Sequence, residues 1–556
     1  MISPTARVRP ALLSAVRLSA ARLSTALLAA ALLLGASAGC TSGGPGSHGA
    51  TPAPGNSAAS SAGPGTSGAG SAQPPAAQGP PPTTLAGFYA QRLTWVSCGA
   101  SLQSFQCARL YVPFDYARPG GPAFSLPVVK LPAAQPAQRI GPLVINPGGP
   151  GGSGIQYALA ARTGEFTTAI RDRFDIVGFD PRGVGGSAPS LRCMTGPQLD
   201  RYFAVNEAPA TPAQLAAAES ANQAYAQACS RNAGSLLPYL GTSAAARDMD
   251  VLRAALGQSR LTFLGKSYGT VLGASYVQQF PQRVRAFVLD GAVAPQASGL
   301  DLDIAQAQGF TVAFGQFVTW CASQRNCPLH GTLAEVTRQV SGLIARANTR
   351  PLASELPGGQ PANGAMMLLG IASALYSKST WTILTDGLSQ ALASGDGSVL
   401  VELADSLTER NPDGSYSNLS DVGTAVDCID RPWPRSIAAW QAAAAAAAKV
   451  APLFGPTLVY GSLPCAYWPV PARQVLPGAS LASAGAPPVL VVGDLHDPAT
   501  PYAWAGALAR WLHPGVLLGW NGEGHTSYMQ GSGCVDAAVD AYLIALHAPP
   551  NGTVCP

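Results

Sequence analysis

A serine hydroxyl is a poor nucleophile at neutral pH. It becomes a useful one when an imidazole within hydrogen-bond reach takes its proton and an acid orients that imidazole. The chain carries all three residue types in places where they could meet. Gly265-Lys266-Ser267-Tyr268-Gly269 sets a serine between glycines, directly after the apolar run Leu261-Thr262-Phe263-Leu264 and directly before a helix-like stretch over 270–280. A strand, a sharp turn and a helix with the serine at the apex strain the serine backbone and lift its hydroxyl off the sheet edge. The five-residue pattern alone carries little weight in a chain with 62 glycines, since Gly35-Ala36-Ser37-Ala38-Gly39 also fits it. Only the first match has a strand and a helix on its flanks.

With a nucleophile of this kind the order along the chain is serine, acid, histidine. Of six histidines, His48 lies in a Gly/Ser-rich stretch, His330 follows a pair of close cysteines, His513 precedes a proline and His547 closes the last helix-like segment. His496 and His525 remain. His525 sits in the glycine-rich loop Gly522-Glu523-Gly524-His525-Thr526-Ser527, just beyond the run Val516-Leu517-Leu518, and is the expected base. The acid should follow the preceding strand. Val489-Leu490-Val491-Val492 is followed by Asp494 and by Asp497, the latter before Pro498 in a turn that leads into a helix. Asp497 is the better placed, and Asp494 is left to cap or solvate the loop.

The oxyanion of an acyl-transfer intermediate needs two aimed donors. Tyr268 N–H follows from its place after the nucleophile. The second should lie in Asn146-Pro147-Gly148-Gly149-Pro150-Gly151-Gly152-Ser153-Gly154, which follows Leu143-Val144-Ile145. Gly149 is the first choice and Gly148 the second. A phosphate-cradling role for this loop fails on its pattern. It has neither the Gly-Lys-Ser/Thr ending of a P-loop nor the Gly-x-Gly-x-x-Gly order of a dinucleotide site.

These loops need a scaffold. Short apolar runs at 142–145, 174–179, 261–264, 286–289, 488–492 and 516–518 alternate with helix-like stretches, which predicts a parallel sheet covered on both faces. The stretch 243–256 spaces Met249, Leu252, Ala255 and Leu256 as a helix feeding the elbow strand. From 296 to 484 the strand rhythm gives way to helix-like segments at 302–323, 333–348, 366–375 and 437–450. The expected fold is therefore α/β: an α/β-hydrolase fold with a mostly parallel, doubly wound sheet and a large helical cap insertion. Core is expected over 86–295 and 485–556, and cap over 296–484. Such caps cover the carboxyl ends of the strands, where ligands bind.

The first forty residues carry Arg7, Arg9, Arg17 and Arg22, then an apolar run over 26–34, then small residues before Cys40. Residues 1–40 read as a lipoprotein-type signal peptide in which Cys40 is lipidated, although Ser37 stands where that pattern prefers leucine; plain cleavage and secretion is the other outcome. The apolar run is too short to span a bilayer. A lipid anchor is thus the one expected attachment to the membrane outer face. Residues 41–85, without Asp, Glu, Lys or Arg, read as a disordered Gly/Ser/Pro/Ala linker. Eleven cysteines minus Cys40 leave an even number in an exported chain, which points to disulfides. Close pairs are Cys98 with Cys107, Cys321 with Cys327, Cys428 with Cys465 and Cys534 with Cys555, leaving Cys193 with Cys229; sequence alone does not fix the connectivity. No zinc-type spacing occurs, so no metal and no cofactor are expected. The +4 charge is spread over scattered arginines with four lysines and no basic cluster in the mature part, which argues against a nucleic-acid partner.

Taken together, Asn146 to Gly154, Phe179-Asp180-Pro181-Arg182-Gly183-Val184-Gly185-Gly186-Ser187, Gly265 to Gly269, Asp497-Pro498-Ala499-Thr500-Pro501 and Gly524-His525 resemble the proline iminopeptidase and tripeptidyl aminopeptidase group of α/β-hydrolase serine peptidases. The likeness runs from about residue 90 to the end and is greatest to the exported, disulfide-bearing tripeptidyl aminopeptidases of high-GC Gram-positive bacteria. It implies Ser267 as nucleophile, Asp497 as acid, His525 as base and the Gly148-Gly149 loop as oxyanion site, with peptides bearing free N-termini as substrates. Proline iminopeptidases usually begin the glycine loop with histidine; Asn146-Pro147 stands here instead, which argues against strict specificity for N-terminal proline. Recognition of an ammonium calls for a carboxylate at the closed end of the cleft, and Asp427 and Asp430 are the candidates. Arg182 either reaches the active site or ties the Asp180 loop together.

Overall fold

The computed structural model describes residues 79–356, 360–478, 480–482 and 485–556. The expected signal peptide, Cys40 and linker residues 41–78 lie outside them. The last residues of the expected linker are already ordered chain: Tyr111 Oη donates to Gly79 O at 3.0 Å, and Leu85–Ala90 is a helix.

The strands are β1 (Val96–Ser97), β2 (Gln106–Pro113), β3 (Ala123–Leu131), β4 (Gly141–Asn146), β5 (Phe174–Phe179), β6 (Leu261–Lys266), β7 (Val284–Asp290), β8 (Leu481–Ala482), β9 (Val489–Asp494), β10 (Leu512–His513), β11 (Gly515–Trp520) and β12 (Thr553–Cys555). Ten of them form one sheet in the order β1-β2-β3-β5-β4-β6-β7-β9-β11-β12, while β8 and β10 pair apart. From β5 to β12 all neighbours run parallel; the pairs on the β1 side of β5 are antiparallel. Every residue of β4, β5, β6 and β9 is buried, as a sheet covered on both faces requires. This is the α/β-hydrolase arrangement. Because β4 and β6 are neighbours, the glycine loop and the serine turn leave the same sheet edge side by side.

Sequence reasoning misses the antiparallel strands β2 and β3, along with the short β1, β8, β10 and β12. Pro127 lies inside β3, where proline normally argues against a strand. Here β5 pairs only with Val128–Leu131, so Pro127 falls where β3 has run past that partner and its missing N–H costs the sheet nothing on that side.

Separate apolar clusters fill the two faces of the sheet, one around Met249, Leu252, Phe263 and Phe287, the other around Ile145, Ile176, Leu264 and Tyr542. The helix Thr242–Ala255 turns Met249, Val251 and Leu252 inward and delivers the chain to β6. Beyond β7 come the helices Gly299–Ala322, Leu333–Thr349, Gly364–Leu375, Trp381–Ala393, Ser398–Thr408, Leu419–Asp430, Ile437–Val450 and Gly455–Gly461. The first five, with the 451–454 segment, enclose an apolar core of their own, centred on Phe310, Phe314, Phe317 and Trp381. A further helix, Pro212–Ala233, packs with this layer although it precedes β6. Leu215 lies against the Trp440 and Tyr460 cluster, and Tyr225 Oη donates to Asp421 Oδ1 at 2.8 Å. The capping layer therefore draws on chain from within 86–295 as well.

Disulfides join Cys98–Cys107, Cys193–Cys229, Cys321–Cys327, Cys428–Cys465 and Cys534–Cys555, with Cα separations of 5.1, 4.2, 5.3, 4.8 and 5.7 Å. Cys428–Cys465 fastens the end of the helix Leu419–Asp430 to the turn Leu463–Tyr467.

Candidate active site

β6 ends at Lys266 and the next helix begins at Gly269, which leaves two residues to reverse the chain. Ser267 takes φ 56°, a left-handed conformation that costs a non-glycine residue about 1–3 kcal/mol unless its surroundings enforce it. They do. Ser267 N–H donates to Asp290 O at 2.8 Å, and Ser267 O accepts from Thr270 N and Thr270 Oγ1 at 2.9 and 2.6 Å. Gly265 has to be glycine, because a Cβ there would strike the Gly269 carbonyl.

One strand over, β4 ends at the buried Asn146, whose Oδ1 accepts from Gly148 N–H at 3.0 Å. That bond folds the loop back onto the serine turn. A Cβ at Gly148 would lie 2.6 Å from Lys266 O, 2.8 Å from Ser267 Cβ and 3.1 Å from Tyr268 N, so only bare backbone fits. Gly148 N–H is committed to Asn146. Among the described residues Gly149 N–H and Tyr268 N–H have no acceptor, so the first-choice donor pair is free and the second choice is not.

Asp497, 2 % exposed, follows β9 in a turn that satisfies both its oxygens. Oδ1 accepts from Ala499 N and Thr500 N, each at 2.8 Å, and Oδ2 from Thr500 Oγ1 at 2.8 Å and Thr526 N at 3.2 Å. His525 Nδ1 lies 2.8 and 2.9 Å from the two oxygens. The far side of the imidazole is turned to the cavity that Ser267 also lines, and among the described residues no hydrogen bond joins the two side chains. His525 is gripped by the cap as well. Its N–H donates to Tyr376 O at 2.8 Å, and the Tyr376 ring meets the imidazole edge-on at 5.2 Å.

Among the described residues no hydrogen bond joins Asp494 to His525. Fully buried, it accepts from His496 N at 3.0 Å, and among the described residues Oδ2 has no hydrogen-bond partner. Burial pushes its carboxyl up to about 8, with the neighbouring Asp497 and Glu523 charges adding to the rise. His496 Nδ1 reaches Gly522 O at 2.7 Å and Glu523 at 3.4 Å, so it joins the acid loop to the histidine loop from outside the cavity.

The cavity, about 1250 Å³, runs from this sheet edge under the cap. The helix Leu419–Asp430 forms one wall: Gly423 abuts Pro150 of the glycine loop, and Asp427, one turn on, opens into the space. Asp427 has Arg431 at 3.9 Å as its ion-pair neighbour, and burial pushes its carboxyl up to about 6. Asp430 points elsewhere. Both its oxygens accept from Thr242 N, at 3.1 and 3.2 Å, so it caps the helix that feeds β6 and does not line the cavity. Thr242 Oγ1 in turn hydrogen-bonds Tyr268 Oη. Sequence reasoning also misses Glu207, which lines the cavity in the loop before Pro212–Ala233 and, among the described residues, has no ion-pair partner. Burial pushes it up to about 7. No motif surrounds it, and only the unexpected folding of 196–233 into the cap layer brings it here.

Arg182 does not reach the cavity. It is 1 % exposed, pairs with Asp248 at 2.6 and 2.7 Å, and donates to the carbonyls of Pro113, Phe114 and Tyr239. It therefore ties the β2–β3 side to the helix Thr242–Ala255, while the neighbouring loop is held by Asp180, which accepts from Ser153 Oγ, Ile155 N and Gly186 N. Among the described residues no group of His, Cys, Asp and Glu is arranged to hold a metal ion, and no helix is long and apolar enough to cross a membrane.

Residues 451–555 match the family model described as TAP-like protein. Serine protease Hip1 of Mycobacterium tuberculosis is 38% identical over 485 residues, covering 84% of this chain and 91% of that protein. A second M. tuberculosis protein, Carboxylesterase B, is 38% identical over 476 residues, covering 84% and 90%. The Tripeptidyl aminopeptidase of Streptomyces lividans is 33% identical over 477 residues, covering 83% and 86%. With relatives 33–38% identical over more than four-fifths of its length, the chain belongs to the TAP-like family of α/β-hydrolase serine peptidases.

Proposed function

We propose that the protein is an exported serine exopeptidase, an aminopeptidase of tripeptidyl type that removes short peptides from free N-termini through an acyl-enzyme on Ser267. The observation that carries this reading is the Asp497–His525 pair facing the same cavity as a serine held at φ 56° beside two unused amides. Ser267 Oγ attacks the scissile carbonyl carbon as its proton passes to His525 Nε2, while Asp497 keeps Nδ1–H in place and stabilises the imidazolium. The carbonyl oxygen, now an oxyanion, takes hydrogen bonds from Gly149 and Tyr268 N–H. Collapse breaks the C–N bond, and His525 returns the proton to the leaving amine. Water, deprotonated by the same imidazole, then releases the N-terminal fragment and regenerates Ser267.

Aminopeptidase specificity is supported by the cap. It lines the cavity with two carboxylates: Asp427, whose Arg431 neighbour stands 3.9 Å away, and Glu207, which has no ion-pair partner among the described residues. A tripeptide is the fragment that the Streptomyces relative's name suggests. Export is supported by the leader-like residues 1–40 and by the five disulfides, which persist in oxidising compartments.

The name of one relative, Carboxylesterase B, favours a second reading, a carboxylic-ester hydrolase using the same three residues. Cleavage of a mixed peptide library, half with free and half with acetylated N-termini, separates the two. The exopeptidase should shorten only the free peptides, by a fixed step. An esterase should leave both halves intact while turning over acyl esters.

A further inference from the structure

The strands that carry the nucleophile and its neighbour also hold the histidine loop. Lys266 and Asp290 are cross-strand partners at the carboxyl ends of β6 and β7. Asp290 works in two directions: its main-chain oxygen accepts from Ser267 N–H at 2.8 Å, and its carboxylate accepts from Ser527 N–H at 2.9 and 3.2 Å and from Tyr528 N–H at 3.0 Å. Lys266, the residue before the nucleophile, donates from Nζ to Tyr528 O at 3.1 Å. One residue thus touches the backbone of Ser267 and the loop that presents His525, and a second closes the same loop from beside the serine.

That loop has a reason to need holding. Thr526 and Met529 take φ 68° and 63°, left-handed conformations that a threonine and a methionine avoid on their own. The segment has no regular secondary structure to enforce them. Besides the turn bond from Gln530 N–H to Ser527 O at 3.2 Å, its stays come from ionisable side chains. Asp497 takes Thr526 N–H, Asp290 takes the next two amides, Lys266 takes the Tyr528 carbonyl and Asp536 takes Met529 N–H at 2.8 Å. Asp290 is 0 % and Lys266 7 % exposed, so neither is screened by water. Neither belongs to the three residues that exchange protons with substrate.

We propose that Asp290 and Lys266 are positioning residues that clamp the 526–529 segment to the serine turn and so set the distance and angle between the Ser267 hydroxyl and the His525 imidazole. The proposal rests on Ser267 and His525 acting as nucleophile and base. The clamp works because the sheet edge is rigid: β6 and β7 cannot slide, so a loop bonded to both inherits their geometry. A displacement of about 1 Å between reacting groups can cost about 10²-fold in rate.

The test compares Asp290→Asn and Lys266→Met with the wild-type chain. For a free N-terminal peptide, Asp290→Asn should lower kcat by about 10²- to 10³-fold and Lys266→Met by about tenfold, with KM changed less than about threefold in both. Hydrogen exchange at the Ser527 and Tyr528 amides should quicken in Asp290→Asn, with peptides from the cap helices unchanged. If Asp290→Asn does not fold, Lys266→Met carries the same comparison, its exchange read at Tyr528 and Met529. A kcat within twofold of wild type in a folded variant would overturn the clamp, as would a loss matched by the fraction of unfolded protein with loop exchange unaltered. The exchange measurement does not depend on which substrate is cleaved, so the clamp and the peptidase reading can fail separately.

Discussion

The two walls of the cavity treat their charges in opposite ways. At the sheet edge Asp497 accepts four hydrogen bonds besides that of His525, and Asp290 accepts from two main-chain N–H groups, so each carboxylate is held in place by donors before any substrate arrives. On the cap side Asp427 has a guanidinium no closer than 3.9 Å, and Glu207 has no ion-pair partner among the described residues. Loss of solvation in the cavity pushes these two up to about 6 and about 7, and at Asp427 the distant Arg431 offsets only part of the rise. A carboxylate in that state gains most from an incoming cation. The contrast assigns chemistry to the wall that is already satisfied and selection to the wall that is not. Changes at the sheet edge should then appear in kcat, and changes in the cap in KM.

The largest expected effect comes from removing the nucleophile. Ser267→Ala should lower kcat for peptide hydrolysis by about 10⁶-fold while substrate still binds; near-normal turnover in this variant would break the comparison at its stronger end. Next, Asp497→Asn keeps the shape of the turn but turns the imidazole to the wrong tautomer, and kcat should fall by about 10⁴-fold. In the cap, Asp427→Asn should raise KM for free N-terminal peptides by about 10- to 100-fold, the worth of a hydrogen bond to a charged group, with kcat nearly unchanged. Equal losses on free and acetylated substrates would instead mean that Asp427 only supports the wall.

The same residue gives the pH dependence. With its carboxyl at about 6, Asp427 is ionised above that pH and becomes neutral below it. KM for free N-terminal peptides should therefore climb as pH falls from 7 to 5, and KM for an ester without an ammonium should not; parallel curves would contradict the role. The smallest effect concerns stability. Asp494 holds its proton up to about 8 in the folded state, against about 3.9 in an unfolded chain, so its contribution is fully present below about pH 4 and lost as pH rises through 8. Asp494→Asn should flatten the fall in melting temperature between pH 5 and 8.5. An unchanged slope would show that the group already ionises freely.

Much of the sheet edge is legible in the sequence, because its demands are local. A serine turn needs Gly265 and Ser267 in fixed order, the glycine loop needs bare backbone at Gly148, and each follows an apolar strand read from a handful of residues. The cap is legible as helices and opaque as a surface. Asp427 and Asp430 stand three apart on one helix, yet one opens on the cavity and the other caps Thr242, a difference decided by tertiary packing. Glu207 reaches the cavity because Pro212–Ala233 and its flanks join the cap, and nothing periodic announces that. The antiparallel strand β3 is masked by Pro127, whose tolerance depends on where β5 stops.

If Ser267 carries the acyl group, a covalent label must find it. The protein would be incubated with a fluorophosphonate, its intact mass measured, the modified peptide sequenced, and peptide hydrolysis followed in the same samples. One phosphonyl group per chain is expected, on Ser267, with activity lost in step with its addition. Stoichiometric labelling at another residue, or full peptide hydrolysis after Ser267 is modified, would contradict it.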